Sequence, residues 1–357
     1  MKYKLTCLTP TLVGDGQELA PIDYMVWKDQ VNVLDQRRIF KIFAKGPRLD
    51  GYLAQLKSSV RLEFATWGGL AQNYAGRRIA FENPSLTQQF ERAMPQDLFI
   101  RTFATNTGGL YIPGSALKGA LRTGAMFAGM TEAHWIKVHE HLDGERANRR
   151  VASMVEDRTV KSQLKGLMAG DSASLPAASA MIYLLRTSTL VAAGGKQELA
   201  WKTVRGSSKL ASDALPSFVE MARPGTVFEG AFKGGTEAMA AANRFAGELL
   251  TNHLHYAESA GLSTLAASIE ALQLRLAGLT ANQCLLTLGW GGGFLGKAAI
   301  ADGSPDYIRQ VMRKLPFYAR AIQTGMPFPK TRRIVFFGDQ PATLPGWTLL
   351  ETEQPIV

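Results

Sequence analysis

Two short stretches carry residue types that suit the chemistry of binding a phosphate. In "YIPGSALKGALRTGAMFAGM" (111–130), a Pro113-Gly114 turn is followed by Ser115, Lys118 and Arg122. Glycine lets a backbone approach a ligand closely, and a helix opening at Ser115 would aim free N–H groups and a positive dipole end at an anion. Lys118 and Arg122 stand one turn apart on one face of that helix. The second stretch, "GWGGGFLGKAA" (289–299), sets Gly291, Gly292, Gly293, Phe294 and Lys297 in one loop. Such a loop can lay N–H groups along phosphates, with Lys297 adding charge and Trp290 or Phe294 a stacking face.

The spacing Gly291-x4-Gly296-Lys297 matches the start of a nucleotide-binding P-loop, but Ala298 stands where a magnesium-ligating Ser or Thr is needed. Gly303 and Pro305 then interrupt the helix that should follow. An NTP-binding protein is kept as an alternative that these departures count against.

Other chemistry is thinly supplied. Asp15 in "VGDGQ" and Asp23 are the candidates for a metal-dependent cut, although a turn aspartate more commonly forms an Asx turn. His134, His139 and His141 share no helix face, "HLH" at 253–255 has the same fault, and neither group has the H-E-x-x-H spacing of a zinc site. Cys7 and Cys284 form no metal or disulfide framework. No cofactor is expected. Trp67-Gly68-Gly69 and Tyr74, near Arg77 and Arg78, would either stack on bases or sit in the core.

Elements must position these residues. Tyr3, Leu5 and Cys7 alternate with Lys2, Lys4 and Thr6 as a strand, and "DYMVWKDQVNVLD" (23–35) reads as a hairpin. "QRRIFKIFAK" and "LDGYLAQLKSS" predict a helical pair broken at Gly46-Pro47. Residues 60–100 give no assignable pattern, and 131–168, with its basic "ERANRR", reads as an insertion. "SFVEMARPGTVFEGAFK" predicts two strands around Pro224-Gly225, followed by helices at 236–257, 261–277 and 305–315 and strands in "RRIVFF" and "WTLLET".

The 357 residues, 46% hydrophobic and 20% charged, can bury a sizeable core, and the length favours two domains. We place them at 1–168 and 169–357, each an α+β, ferredoxin-like (RNA-recognition-like) unit with helical insertions. The formal charge of +10 favours a polyanionic partner. No run approaches the ~18 apolar residues of a membrane helix, so a cytoplasmic protein without a membrane partner is expected.

"IPGSALKGALR" resembles the signature helix start of the RAMP superfamily of CRISPR effector subunits, and "LGWGGGFLGK" resembles its glycine-rich loop. The opening "LTPTLVGDGQELAPIDYMVWKDQVNVLDQRRI" is similar to that of the fifth, capping subunits of type III-A Csm complexes. "MAGDSAS" (168–174) and "VEMARPGTVFEG" (219–230) follow in the order found there. The resemblance implies two ferredoxin-like domains and a structural, non-catalytic place at the end of a filament of related subunits. Its implied partners are CRISPR RNA near the 3′ part of the guide, target RNA and neighbouring RAMP subunits. It makes Gly114, Ser115, Lys118, Arg122 and the Gly291–Lys297 loop candidates for guide-backbone contacts. A metal-dependent endoribonuclease of the same superfamily, using Asp15 or Asp23, is the alternative.

Overall fold

The computed structural model describes residues 1–44, 48–58, 73–144, 164–322 and 326–353. Trp67, Gly68, Gly69 and the basic "ERANRR" lie outside them.

The first strand, β1 (Lys2–Cys7), buries Tyr3, Leu5 and Cys7 and turns Lys2 and Lys4 outward, as its alternation predicts. It lies inside a five-stranded antiparallel sheet. One neighbour is β14 (Val227–Lys233), itself edged by β9 (Met168–Ala169). The other is β18 (Trp347–Thr352), edged by β15 (Gln283–Thr287). Leu5 faces Phe228 across the ladder on the inner side, while Lys4 and Glu229 meet at 3.8 Å on the solvent side.

Two helices close the inner face. The first, Gly114–Gly129, sets Leu117, Leu121 and Ala125 inward. The second, Thr236–Ser259, contributes Ala238, Met239 and Ala242, and the shared core includes Phe228, Phe232, Cys284 and Leu286. Each large apolar side chain so buried stabilises the fold by roughly 1.5–3 kcal/mol. The path β1, helix, β9, β14, helix, β18 with spatial order β18-β1-β14-β9 is the ferredoxin-like arrangement, β15 being added outside β18.

A second sheet is built on the long strand β10 (Ala180–Ala193). Along one edge it pairs first with β13 (Ser217–Ala222) and then with β11 (Lys196–Thr203), and on the other edge with β16 (Thr331–Phe337). The short strands β2 (Glu18–Leu19) and β6 (Ile100–Arg101) extend it beyond β13. A third sheet holds the hairpin β3 (Tyr24–Trp27) and β4 (Gln30–Leu34), with β5 (Ala75–Ala80). The hairpin turns at Lys28 and Asp29, both at positive φ. Beside it the expected helical pair forms over Gln36–Phe43 and Arg48–Ser58.

The architecture is α+β, as expected. The division between 168 and 169 does not coincide with the sheets, because a cut there would take β1 from both its partners and β2 and β6 from β13. The two strands expected around Pro224-Gly225 form as β13 and β14, but β13 belongs to the second sheet and β14 to the first, so this turn carries the chain between layers. Within residues 60–100, where no pattern is assignable from sequence, the described residues include β5 and a helix, Ser85–Arg92, whose Leu86 and Phe90 are buried.

Candidate nucleic-acid interface

The helix behind Pro113 begins one residue earlier than expected, at Gly114, and Ser115 is an exposed residue of its first turn. Its first N–H group is already engaged by the protein itself. The Gly114 N–H donates to Asp171 Oδ1 at 2.8 Å, and the Ile112 N–H donates to Ser172 Oγ at 2.9 Å. A Cβ on Gly114 would stand 2.1 Å from the Ala169 carbonyl oxygen, so the glycine accommodates the protein's own chain. Lys118, although exposed, donates from Nζ to the Leu167 carbonyl at 3.0 Å. Arg122 is half-buried on the same helix. The anion expected at this helix start is thus Asp171, a carboxylate from the "MAGDSAS" segment.

The glycine-rich loop is arranged differently. It follows β15 and is held by the Trp290 N–H, which donates to the Leu12 carbonyl at 2.8 Å. Gly289, at φ +76°, lies so close to that carbonyl that a Cβ would fall 1.9 Å from its oxygen. Beyond it, Gly293 is exposed at φ +69° with open space where a Cβ would be. The loop runs into a short 3-10 turn, Leu295–Lys297, in place of the long helix a P-loop requires.

This loop forms one wall of an open cleft of about 660 Å³. Lys297, Arg332 and Arg333 line it, and among the described residues no carboxylate does. Lys297 and Arg333 are exposed and have no acidic partner among the described residues. The Arg333 guanidinium lies 4.8 Å from the centre of the Trp290 ring, and that of Arg101 5.3 Å from it. Partial burial, and then the neighbouring Arg101, lower the pKa of Arg333 from its ordinary value. Among the described residues the acidic contact of Arg101 is a loose one with Glu18, at 3.9 Å.

Phe294 is not a free stacking face. Its ring packs edge-on against Tyr318 and Phe328, with centroids 4.9 and 5.4 Å away. The exposed aromatic on the cleft is Phe317, 84% accessible and packed at 88° against Tyr318.

Arg332 forms the floor. It is buried, and Nε donates to His253 Nδ1 at 2.9 Å, which leaves the histidine's own proton on Nε2. Nη1 donates to the carbonyls of Pro329 and Thr331, and Nη2 to Asn252 Oδ1 at 2.7 Å. The guanidinium also lies 4.5 Å from the centre of the Tyr256 ring. Burial brings the Arg332 pKa down to about 10, so the cation persists at neutral pH. Burial, and then the adjacent Arg332, hold His253 well below its ordinary value and therefore neutral.

The remaining sequence candidates have structural tasks. Asp15 Oδ1 accepts from the Gln17 N–H at 3.0 Å in an Asx turn, and Asp23 Oδ2 accepts from the Ala20 N–H at 2.8 Å. No group of three His, Cys, Asp or Glu side chains gathers among the described residues. His134 helps cap its own helix, Glu132–Asp143, through Thr131, and His139 meets Asp143 at 3.4 Å. Tyr74 is buried beside Phe43, which settles it in the core. Arg77 makes a bidentate pair with the fully buried Glu220, at 2.8 and 2.9 Å. Burial raises the Glu220 pKa, and Arg77 offsets only part of the effect.

Sequence reading missed Arg101, Arg332, Arg333 and Asp171. One signal was present: "TRRIVFF" opens a strand with two arginines, and a period of two must send one inward and the other out.

The RAMP superfamily model matches residues 4–295. No curated protein matches. Among solved structures, a chain of a Csm–crRNA–target RNA ternary complex from a type III-A CRISPR-Cas system, determined by cryo-electron microscopy, aligns at TM-score 0.67. Its identity is 20%, over 98% of this chain and 100% of that one. The crystal structure of T. onnurineus Csm5 aligns at TM-score 0.59 and 17% identity, over 97% and 99%. At such identities the likeness is one of fold.

Proposed function

This chain belongs to the RAMP superfamily, and we propose that it is a non-catalytic, RNA-binding subunit of a type III-A CRISPR complex. In that role it caps a filament of related subunits near the 3′ part of the guide, supports maturation of the CRISPR RNA, and works in the cytoplasm beside target RNA. The observation that carries the RNA reading is the cleft of the glycine-rich loop, which offers three cations and an exposed aromatic ring with no carboxylate among the described residues that line it. Lysine and arginine neutralise phosphates whatever the sequence, as suits a protein that must hold any guide. The Csm subunits of like fold support the assembly.

Lys297, Arg333 and Arg101 are the foremost contacts in this reading, with the N–H groups of Gly291, Gly292 and Gly293 beside them. Ser115, Lys118 and Arg122 are secondary contacts, since part of their region is engaged internally. The non-catalytic assignment draws on the Asx-turn role of Asp15 and the backbone contact of Asp23.

The test combines binding with cleavage. Wild type and Lys297→Ala/Arg333→Ala, alone and assembled with partner subunits, meet labelled single-stranded RNA over a salt series with magnesium or manganese. Salt-sensitive binding that weakens in the variant, with the RNA intact, is expected. Absence of binding in both settings would reject the RNA reading. Metal-dependent cutting lost in Asp15→Ala or Asp23→Ala would replace it with the nuclease.

A further inference from the structure

The buried cation Arg332 has an unusual set of partners. A guanidinium has five N–H donors. Four are matched, to His253, Asn252 and two backbone carbonyls, and every one of these acceptors is neutral. The fifth N–H, on Nη2, has no acceptor among the described residues, and no carboxylate there pairs with the charge. A buried cation without an anion is costly, and proteins ordinarily supply one. Glu220 with Arg77 shows this same chain doing so elsewhere. Arg332 lines two hollows: the cleft it shares with Lys297 and Arg333, and a neighbouring one that Asp302 and Asp306 also line, where the Asn252 amide donates to Asp302 Oδ1 at 3.4 Å.

The other wall is aromatic. Phe294, Tyr318 and Phe328 pack edge to face, and Phe317 stands out from them almost fully exposed. An exposed phenyl beside three cations matches a ligand with one anionic end and one flat ring. The volume, about 660 Å³, falls in the range of pockets for single small molecules and is too small for a folded RNA element.

We propose that this cleft is a single-nucleotide pocket. It takes one ribonucleotide unit, whose phosphate supplies the anion missing at Arg332, between Lys297 and Arg333, and whose base stacks on Phe317. This deepens the RNA reading above: the strand dips one residue into the protein at this point in place of lying along the surface. The shared chemistry is a phosphate attached to an aromatic ring, and the source is either a residue of a bound strand or a free mononucleotide.

The experiment is calorimetric titration of the full chain with inorganic phosphate, a nucleoside 5′-monophosphate, the matching nucleoside and a labelled single-stranded RNA. The monophosphate is expected to bind at least about tenfold more tightly than the nucleoside or phosphate alone, and to compete with the RNA. Phe317→Ala, an exposed substitution that leaves the core intact, should lower monophosphate affinity about tenfold while leaving that for inorganic phosphate unchanged. Arg332→Lys should weaken the binding of both. Should that variant fail to fold, Lys297→Ala, at an exposed side chain, tests the phosphate end instead.

The outcomes separate the two readings. RNA binding that Lys297→Ala/Arg333→Ala weakens, without mononucleotide binding or competition, overturns the pocket and leaves the RNA reading standing. Mononucleotide binding without RNA binding, by the chain alone and assembled with partner subunits, keeps the pocket, makes a free nucleotide its ligand, and rejects the RNA reading. Phosphate and monophosphate binding equally, with no effect of Phe317→Ala, overturns the base contact and with it the nucleotide.

Discussion

The helix start at Gly114 and the loop at Gly289–Lys297 combine glycines and a lysine in much the same way, yet the folded chain uses them oppositely. At Gly114 the carboxylate of Asp171 occupies the helix end, and Lys118 is bound to the Leu167 carbonyl. At the loop, no acid among the described residues pairs with Lys297 or Arg333, and there the hydrogen-bond acceptors of the buried Arg332 behind them are all neutral. A basic residue beside a glycine turn therefore does not define an anion site by itself. What matters is whether a distant segment has already supplied the anion.

The strongest way to probe the comparison is through the glycines that shape the loop. Gly289→Ala should cost about 3 kcal/mol or more in denaturant unfolding, since its Cβ would collide with the Leu12 carbonyl at φ +76°. Gly293→Ala meets nothing and should cost about 1 kcal/mol, from backbone strain alone. Equal costs would mean that the loop is not anchored at Leu12.

Charge removal sharpens the contrast next. Lys297→Ala/Arg333→Ala should weaken RNA binding about a hundredfold and lower the slope of log affinity against log salt by about 1.4, as two lost phosphate contacts require. Lys118→Ala should change RNA affinity less than about threefold, because that ammonium is already engaged. A larger effect of Lys118→Ala than of the double variant would invert the ranking of the two regions.

A smaller effect concerns pH. Folded His253 is held neutral to well below 6.5, whereas the unfolded residue titrates near 6.5. Below that pH the unfolded chain binds the extra proton, so the stability fully present above it falls as pH drops. The slope has a ceiling of about 1.4 kcal/mol per pH unit from this group. His253→Asn should remove that component from unfolding curves measured between pH 5 and 7; an unchanged curve would mean that the histidine is not buried against Arg332.

The smallest expected change is at the closed region. Asp171→Asn keeps an acceptor for the Gly114 N–H but removes the charge at the helix end, for a loss of about 1 kcal/mol. If instead the variant bound RNA more tightly at unchanged stability, Asp171 would be a gate over a second phosphate site.

Much of the secondary structure was legible locally. The alternation in Lys2–Cys7, the hairpin around Lys28-Asp29, the helical pair after Gln36 and the long helix from Thr236 all follow from periodicity and turn residues within a few positions. Less legible was the region before residue 100, where β5 places its arginines by alternation and spends Arg77 on Glu220, 143 residues away. Phe294, chosen as a stacking face, became a core contact through Tyr318 and Phe328, which follow it by 24 residues or more.

The sequence by itself determined the elements, the excess of positive charge and the glycine positions that bend the chain, because each depends on neighbours or on simple counting. Tertiary structure alone decided which charges remain available. Pairing Gly114 with Asp171 needs β9 to lie beside the helix start, and giving Arg332 its neutral acceptors needs β16 to lie against the helix carrying His253 and Asn252. A charge is neutralised by whatever lies within a few ångströms of it, and separation along the chain says little about that distance.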